Sequence, residues 1–182
     1  MSLDLYFYRC KKSCYEQHKD NPKALSSEAQ SAVSRWMYKE LGHPEHFEAA
    51  PGIVDGCRCP EESDNLILVD GWLEHVGSAY RWFLEHTVLT MNDAHPVKVN
   101  TQDIFALCKA CEAVLRLEPN EYGEIDSDIC ERHLPIAVDP YFGIDEYTED
   151  YQEEVEAVLD TITALLNTID FENEVILVQA NW

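Results

Sequence analysis

Apolar residues recur at a spacing near 3.6 in four stretches of the chain, and each stretch predicts an amphipathic helix. The first spans about Ser27 to Leu41, with Ala29, Val33, Trp36, Met37 and Leu41 on one face, Ser27 and Gln30 as a capping-box pair, and Gly42 as the stop. The second spans about Gly71 to Val88 and is rich in aromatics, with Trp72, Val76, Tyr80, Phe83 and Leu84 in register. The third follows Thr101 as its cap, carries Ile104, Leu107, Cys108, Cys111, Val114 and Leu115, and ends before Pro119. The fourth starts at the cap Thr148 and sets Tyr151, Val155, Val158, Leu159, Ile162, Leu165 and Leu166 on one stripe.

Two short runs rich in β-branched and aromatic residues predict strands, Asp4 to Arg9 and Glu174 to Gln179. Both sit at chain ends, so their pairing would tie the termini together. Pro119 to Pro140 is the longest stretch without clear periodicity. The expected fold is therefore α+β, a single domain over residues 1–182 with about four helices packed on a small sheet that pairs the terminal strands.

Charge changes this picture. The chain has 182 residues with 13 Lys+Arg against 35 Asp+Glu, a formal net charge of −22. Residues 1–50 are balanced at seven basic and seven acidic, so the whole excess lies beyond residue 50. Glu118 to Glu156 holds fourteen carboxylates against Arg132 alone: Glu118, Glu121, Glu124, Asp126, Asp128, Glu131, Asp139, Asp145, Glu146, Glu149, Asp150, Glu153, Glu154 and Glu156. Such a surface repels a phosphate backbone and an anionic bilayer, which argues against direct nucleic-acid or membrane binding. The opening MSLDLYFYRCKK lacks the order of a secretory signal, so a cytosolic location is expected.

Tyr122, Ile125, Ile129, Tyr141, Phe142, Tyr147 and Tyr151 interleave with these carboxylates. Anions beside aromatic anchors suit a protein that substitutes for a nucleic acid in a basic channel. The partner-binding set expected on this reading is Glu118, Glu121, Glu124, Asp126, Asp128, Asp145, Glu146, Glu149, Asp150, Glu153 and Glu154, with a basic nucleic-acid-binding host protein as partner. The plain alternative is a solvated face that keeps the protein in solution. Asp145 to Glu156 lacks the central Gly and alternating ligands of an EF-hand loop.

Seven cysteines offer two metal-ligand sets. Cys10-x3-Cys14 and Cys57-x-Cys59 would give four thiolates to a tetrahedral zinc, with His18, His43 and His46 as substitutes for one of them. The other set, Cys108-x2-Cys111 with Cys130-x2-His133, has ribbon-like spacing, but its first pair falls on the apolar face of the third helix, where cysteine acts as a small buried hydrophobe. No phosphate loop, nucleophile elbow or His-Glu-x-x-His is present, so no enzyme class is indicated.

Several segments resemble a family of small, mostly uncharacterised proteins encoded by bacteriophages and prophages. The family's opening strand, its aromatic central helix, its L-C-K helix, its F-F-G-x-x-E-Y segment and its C-terminal tryptophan read here as Leu3 to Lys12, Val69 to Phe83, Leu107-Cys108-Lys109, Tyr141 to Tyr147 and Glu174 to Trp182. Where the family has Arg-Lys, Asn and His in the central helix, this chain has Leu73-Glu74, Gly77 and Tyr80. The resemblance implies a phage origin and no established catalytic activity. It points to an antagonist of host defence in the bacterial cytoplasm, an anti-CRISPR that inhibits a type II CRISPR nuclease by protein–protein contact. Two other classes stay open: a zinc-stapled interaction module without nucleic-acid mimicry, and an enzyme with an unrecognised carboxylate site.

Overall fold

The two terminal runs are nearly continuous in apolar residues because their strands are covered on both faces. The computed structural model describes residues 4–41, 66–74, 76–89, 95–137, 144 and 146–181. In chain order these form β1 (Asp4–Lys11), α1 (Lys12–His18), α2 (Pro22–Leu41), β2 (Ile67–Glu74), α3 (Gly77–His86), β3 (Val97–Val99), α4 (Thr101–Leu115), α5 (Ser127–His133), α6 (Glu149–Thr168) and β4 (Glu174–Asn181). The strands make one antiparallel sheet in the order β2-β1-β4-β3. β1 and β4 lie at its centre, in register from Asp4 opposite Asn181 to Lys11 opposite Glu174. The α+β fold and the pairing of the two ends are as the sequence predicts.

Alternation along β1 and β4 divides the core in two. Leu5, Phe7, Ile176, Val178 and Ala180 point to a cluster built with α3, α4, α5 and α6, while Tyr6, Tyr8, Cys10, Val175 and Leu177 point to a second built with α1 and α2. α6 crosses the sheet beside β2 so closely that a Cβ at Gly71 would lie 2.2 Å from Thr161 Cγ2. The register of β1 on β2 shifts between Phe7 and Tyr8, which pair with Gly71 and Val69. The extra residue, Asp70, forms an ion pair with Arg9 at 2.5 Å.

Several expected elements are corrected. The helix read over Gly71 to Val88 is a strand followed by a helix: Trp72 and Leu73 belong to β2, and α3 begins only at Gly77. Trp72, Val76, Tyr80 and Phe83 have helical spacing by sequence, yet Trp72 packs across the sheet edge against Trp36 of α2, with ring centroids 6.2 Å apart. The first predicted helix starts five residues early, at Pro22, and Ser27 is not its cap. Asn21 Oδ1 accepts from the Ala24 amide at 3.3 Å instead, so Pro22 occupies the first helical turn, where its missing N–H costs nothing. Asn100, rather than Thr101, caps α4 through a capping box with Asp103. α5 lies inside the stretch read as aperiodic, and α1 and β3 are additions, giving six helices and four strands among the described residues.

Candidate functional site: an acidic face

The acidic stretch folds back on itself. Glu124 makes an antiparallel bridge with Thr148, and the Ile125 amide donates to the Tyr147 carbonyl at 3.0 Å. Tyr147 OH donates to Glu131 in α5 and accepts from the Ile136 amide, and buried Tyr151 OH donates to the Leu134 carbonyl. These bonds hold the 118–131 segment against the start of α6. Glu118, Glu121, Glu124, Asp126, Asp128, Glu146, Glu149, Asp150 and Glu153 are all exposed. Exposed carboxylates from two separated stretches of sequence are thereby carried on neighbouring backbone segments. Asp145, Asp139, Tyr141 and Phe142 lie outside the described residues.

Some of these carboxylates also serve the fold. Asp126 caps α5 by accepting from the Ile129 amide at 3.1 Å. Glu149 and Asp150 occupy the first turn of α6, where the unpaired N–H groups favour negative charge. Glu131 accepts from Tyr147 and from Arg81 at 3.4 Å. Burial, then the bond to Glu131, pushes the Tyr147 hydroxyl up to about 12.

Glu154 corrects the expected set. It does not stand on the solvent face with the others: its carboxylate accepts from the Ser78 amide at 3.1 Å and from the Ser78 hydroxyl, Ser78 being buried near the start of α3. Desolvation raises the pKa of Glu154, and the two Ser78 bonds oppose that shift. Glu154 therefore ties α6 to the N-terminus of α3. Two of the apolar residues interleaved with the carboxylates are core residues, Ile125 and Tyr151. Tyr147 is half-buried against Tyr151, and among the described residues of this set Tyr122 is the ring that projects, 78% exposed.

Asp150, Glu153 and Glu154 line one side of a cleft of ≈ 450 Å³ whose other side is Trp72, Leu73 and Glu74 of β2. Glu74 and Trp72 are thus additions to the acidic face. Neither is legible from sequence, because both lie in the segment that reads as helix.

The two cysteine pairs fare differently. Cys10 lies next to the end of β1 and its thiol donates to the Lys11 carbonyl at 3.5 Å, while Cys14 lies in the first turn of α1; both are buried, and burial raises the pKa of each. Burial and then the neighbouring thiol push Cys10 up to about 12, so as free groups these are neutral thiols packed beside Tyr8, Leu25 and Ala29. Cys57 and Cys59, with His43 and His46, lie outside the described residues. Cys111 and Cys130 are buried in the α3–α6 core while His133 is exposed, which matches the apolar-face reading of that set. Among the described residues, no group of three or more His, Cys, Asp or Glu side chains is placed to hold a metal ion. No helix there is long and apolar enough to cross a membrane.

No protein-family model, curated protein or solved structure matches this chain. Of the motif residues singled out in the sequence, Val69 to Glu74 form part of β2, Tyr80 to Phe83 part of α3, and Leu107 to Lys109 part of α4.

Proposed function

We propose that this protein is a non-enzymatic inhibitor, of phage origin, whose acidic face docks on a basic nucleic-acid-binding host protein and occupies the channel that nucleic acid would use. The observation that supports the reading is the bridge between Glu124 and Thr148, which brings the carboxylate-rich 118–131 segment beside the N-terminus of α6. Solubility alone needs no such gathering, since scattered charges serve it equally well. Charges held on one face steer a basic partner and raise its association rate by about 10- to 1000-fold at low salt. The partner we propose is a type II CRISPR nuclease, on the strength of the phage-protein resemblance.

The test is binding to a guide-RNA-loaded type II CRISPR nuclease across a salt series, with Glu146, Glu149 and Asp150 replaced together by lysine. Association should slow steeply as the Debye length falls from roughly 30 to 8 Å. The triple variant should remain folded and bind at least about ten-fold more weakly, the loss residing mainly in the association rate. A folded triple variant that binds and inhibits like the parent would end this reading. Binding to a basic protein without inhibition would leave an interaction module in its place.

A further inference from the structure

We infer that the cleft between β2 and α6 is a binding site for an aliphatic polyamine, a small molecule whose ammonium groups are separated by short methylene runs. The inference goes beyond the docking reading and does not depend on it. The cleft holds ≈ 450 Å³, a volume within the range of small-molecule sites.

Two elements place its walls. Asp150, Glu153, Glu154 and Ala157 stand at i, i+3, i+4 and i+7 of α6, so helical geometry sets them on one face. Opposite them are Trp72 and Glu74, which share one face of β2, together with buried Val76. Carboxylates from both elements thus line the same cavity as an indole ring and aliphatic side chains.

Glu154 is the side chain that points to a ligand. It is half-buried, and both Ser78 donors bond to the same oxygen, Oε1. Among the described residues no Lys, Arg or His pairs with it, and Ser78 alone stabilises its charge. A carboxylate drawn out of water costs free energy unless a cation meets it, and the cleft that Glu154 lines gives a small cation access.

The rest of the lining decides which cation. A divalent metal ion needs oxygens that converge on one point, and among the described residues no three acidic, His or Cys side chains are placed to do so. A monovalent amine would leave most of the four carboxylates without a counter-charge. A polyamine meets them in turn, its methylene runs lying on Val76 and Ala157 and an ammonium over the Trp72 ring.

The experiment titrates the protein with spermidine by isothermal calorimetry in 0.15 M NaCl, where distant charges are screened. The parent should take up about one equivalent in a saturable step. Glu74→Gln with Glu153→Gln should weaken binding by about ten-fold. Ala157→Phe, at an exposed helix position, keeps every charge and fills the cleft, so it should also weaken binding by at least about ten-fold. Glu156→Gln with Asp160→Asn removes as much charge from exposed positions of α6 outside the cleft and should change binding by less than about two-fold. Circular dichroism verifies the fold of each, and where one cleft variant fails to fold the other decides. Uptake that does not saturate near one equivalent, an Ala157→Phe variant that binds like the parent, or equal losses from the two charge-removing pairs would each overturn the inference, because spermidine would then be no more than a counterion to the net charge of −22. No nuclease takes part, so failure here is distinct from failure of the docking reading.

Discussion

On the side of the sheet covered by α3 to α6, 27 buried residues form one cluster, whereas the α1–α2 side has ten among the described residues. The charge is divided the same way. Residues 101–168, which include α4, α5 and α6, carry seventeen acidic side chains against three basic, while residues 12–41, which make α1 and α2, carry four against five. Among the described residues, the side with the larger core therefore also carries the acidity. Burial of apolar surface contributes about 25 cal/mol per Å² and depends little on charge, so the deeper layer can tolerate mutual repulsion on its outer surface. The α1–α2 side has less margin among the described residues, and α1 and α2 themselves are close to neutral.

The largest expected effect breaks the deep layer where α6 meets the sheet. Gly71→Ala would drive a methyl into Thr161 Cγ2, with Phe7 Cδ2 3.7 Å away on the other side. Threonine is stiff about its first torsion and cannot swing aside freely, so about 1–3 kcal/mol of destabilisation is expected. Urea unfolding measures it. Adding Thr161→Ser removes the obstructing methyl and should restore much of the loss. A double variant no more stable than Gly71→Ala would mean that α6 does not approach β2 as closely as described.

A smaller, pH-dependent effect sharpens the contrast at Glu154, which among the described carboxylates of the expected set is the one that turns inward. Its pKa is raised in the folded protein, so its contribution to stability is fully present below the unfolded pKa and is lost as pH rises through the folded pKa. Glu154→Gln keeps an oxygen acceptor for Ser78 and cannot ionise. Relative to the parent, the variant should gain stability as pH increases through the range just above ordinary glutamate titration. Thermal melts of both proteins between acidic and neutral pH give the difference directly, and a pH-independent gap would contradict the burial of this group.

How far the molecule can be read from its sequence follows from the same physics. β1, β4 and α6 are legible because each is long and its pattern has a single explanation: Thr148 takes the N-cap position, without a side-chain cap bond, ahead of a stripe of which Tyr151, Val155, Val158, Ile162 and Leu165 are all buried. β2 is illegible because it lies at a sheet edge and carries a bulge at Asp70, which interrupts the two-residue alternation and leaves Trp72, Val76 and Tyr80 at a spacing that imitates a helix. α5 is too short for periodicity, although Asp126 followed by Ile129 and Cys130 is a cap signal ahead of buried positions. The acidity of the candidate site is plain in the sequence. The approach of its two stretches is not, because it depends on one bridge between residues 24 apart, Glu124 and Thr148.

The smallest expected effect concerns the first turn of α6, where two electrostatic contributions oppose one another. Glu149 and Asp150 gain about 0.3–1 kcal/mol each from the helix N-terminus, an interaction confined to that turn. Both are also repelled by their acidic neighbours, in a chain of net charge −22. That repulsion acts over longer distances and is felt most when the Debye length is about 30 Å, near 0.01 M salt. Replacing the pair with Gln and Asn removes both contributions. At low salt the relieved repulsion should balance or outweigh the lost dipole interaction, leaving the melting temperature unchanged or slightly raised. At 0.15 M salt, where the Debye length is about 8 Å, distant repulsion is screened, the local dipole loss dominates, and the melting temperature should fall by a few degrees. Asp20→Asn, between α1 and α2 on the near-neutral side, supplies the control. Its effect should not change sign with salt, because it lies in a region of balanced charge. Equal salt responses from the two variants would show that repulsion is spread over the whole molecule and that the two faces of the sheet do not differ electrostatically.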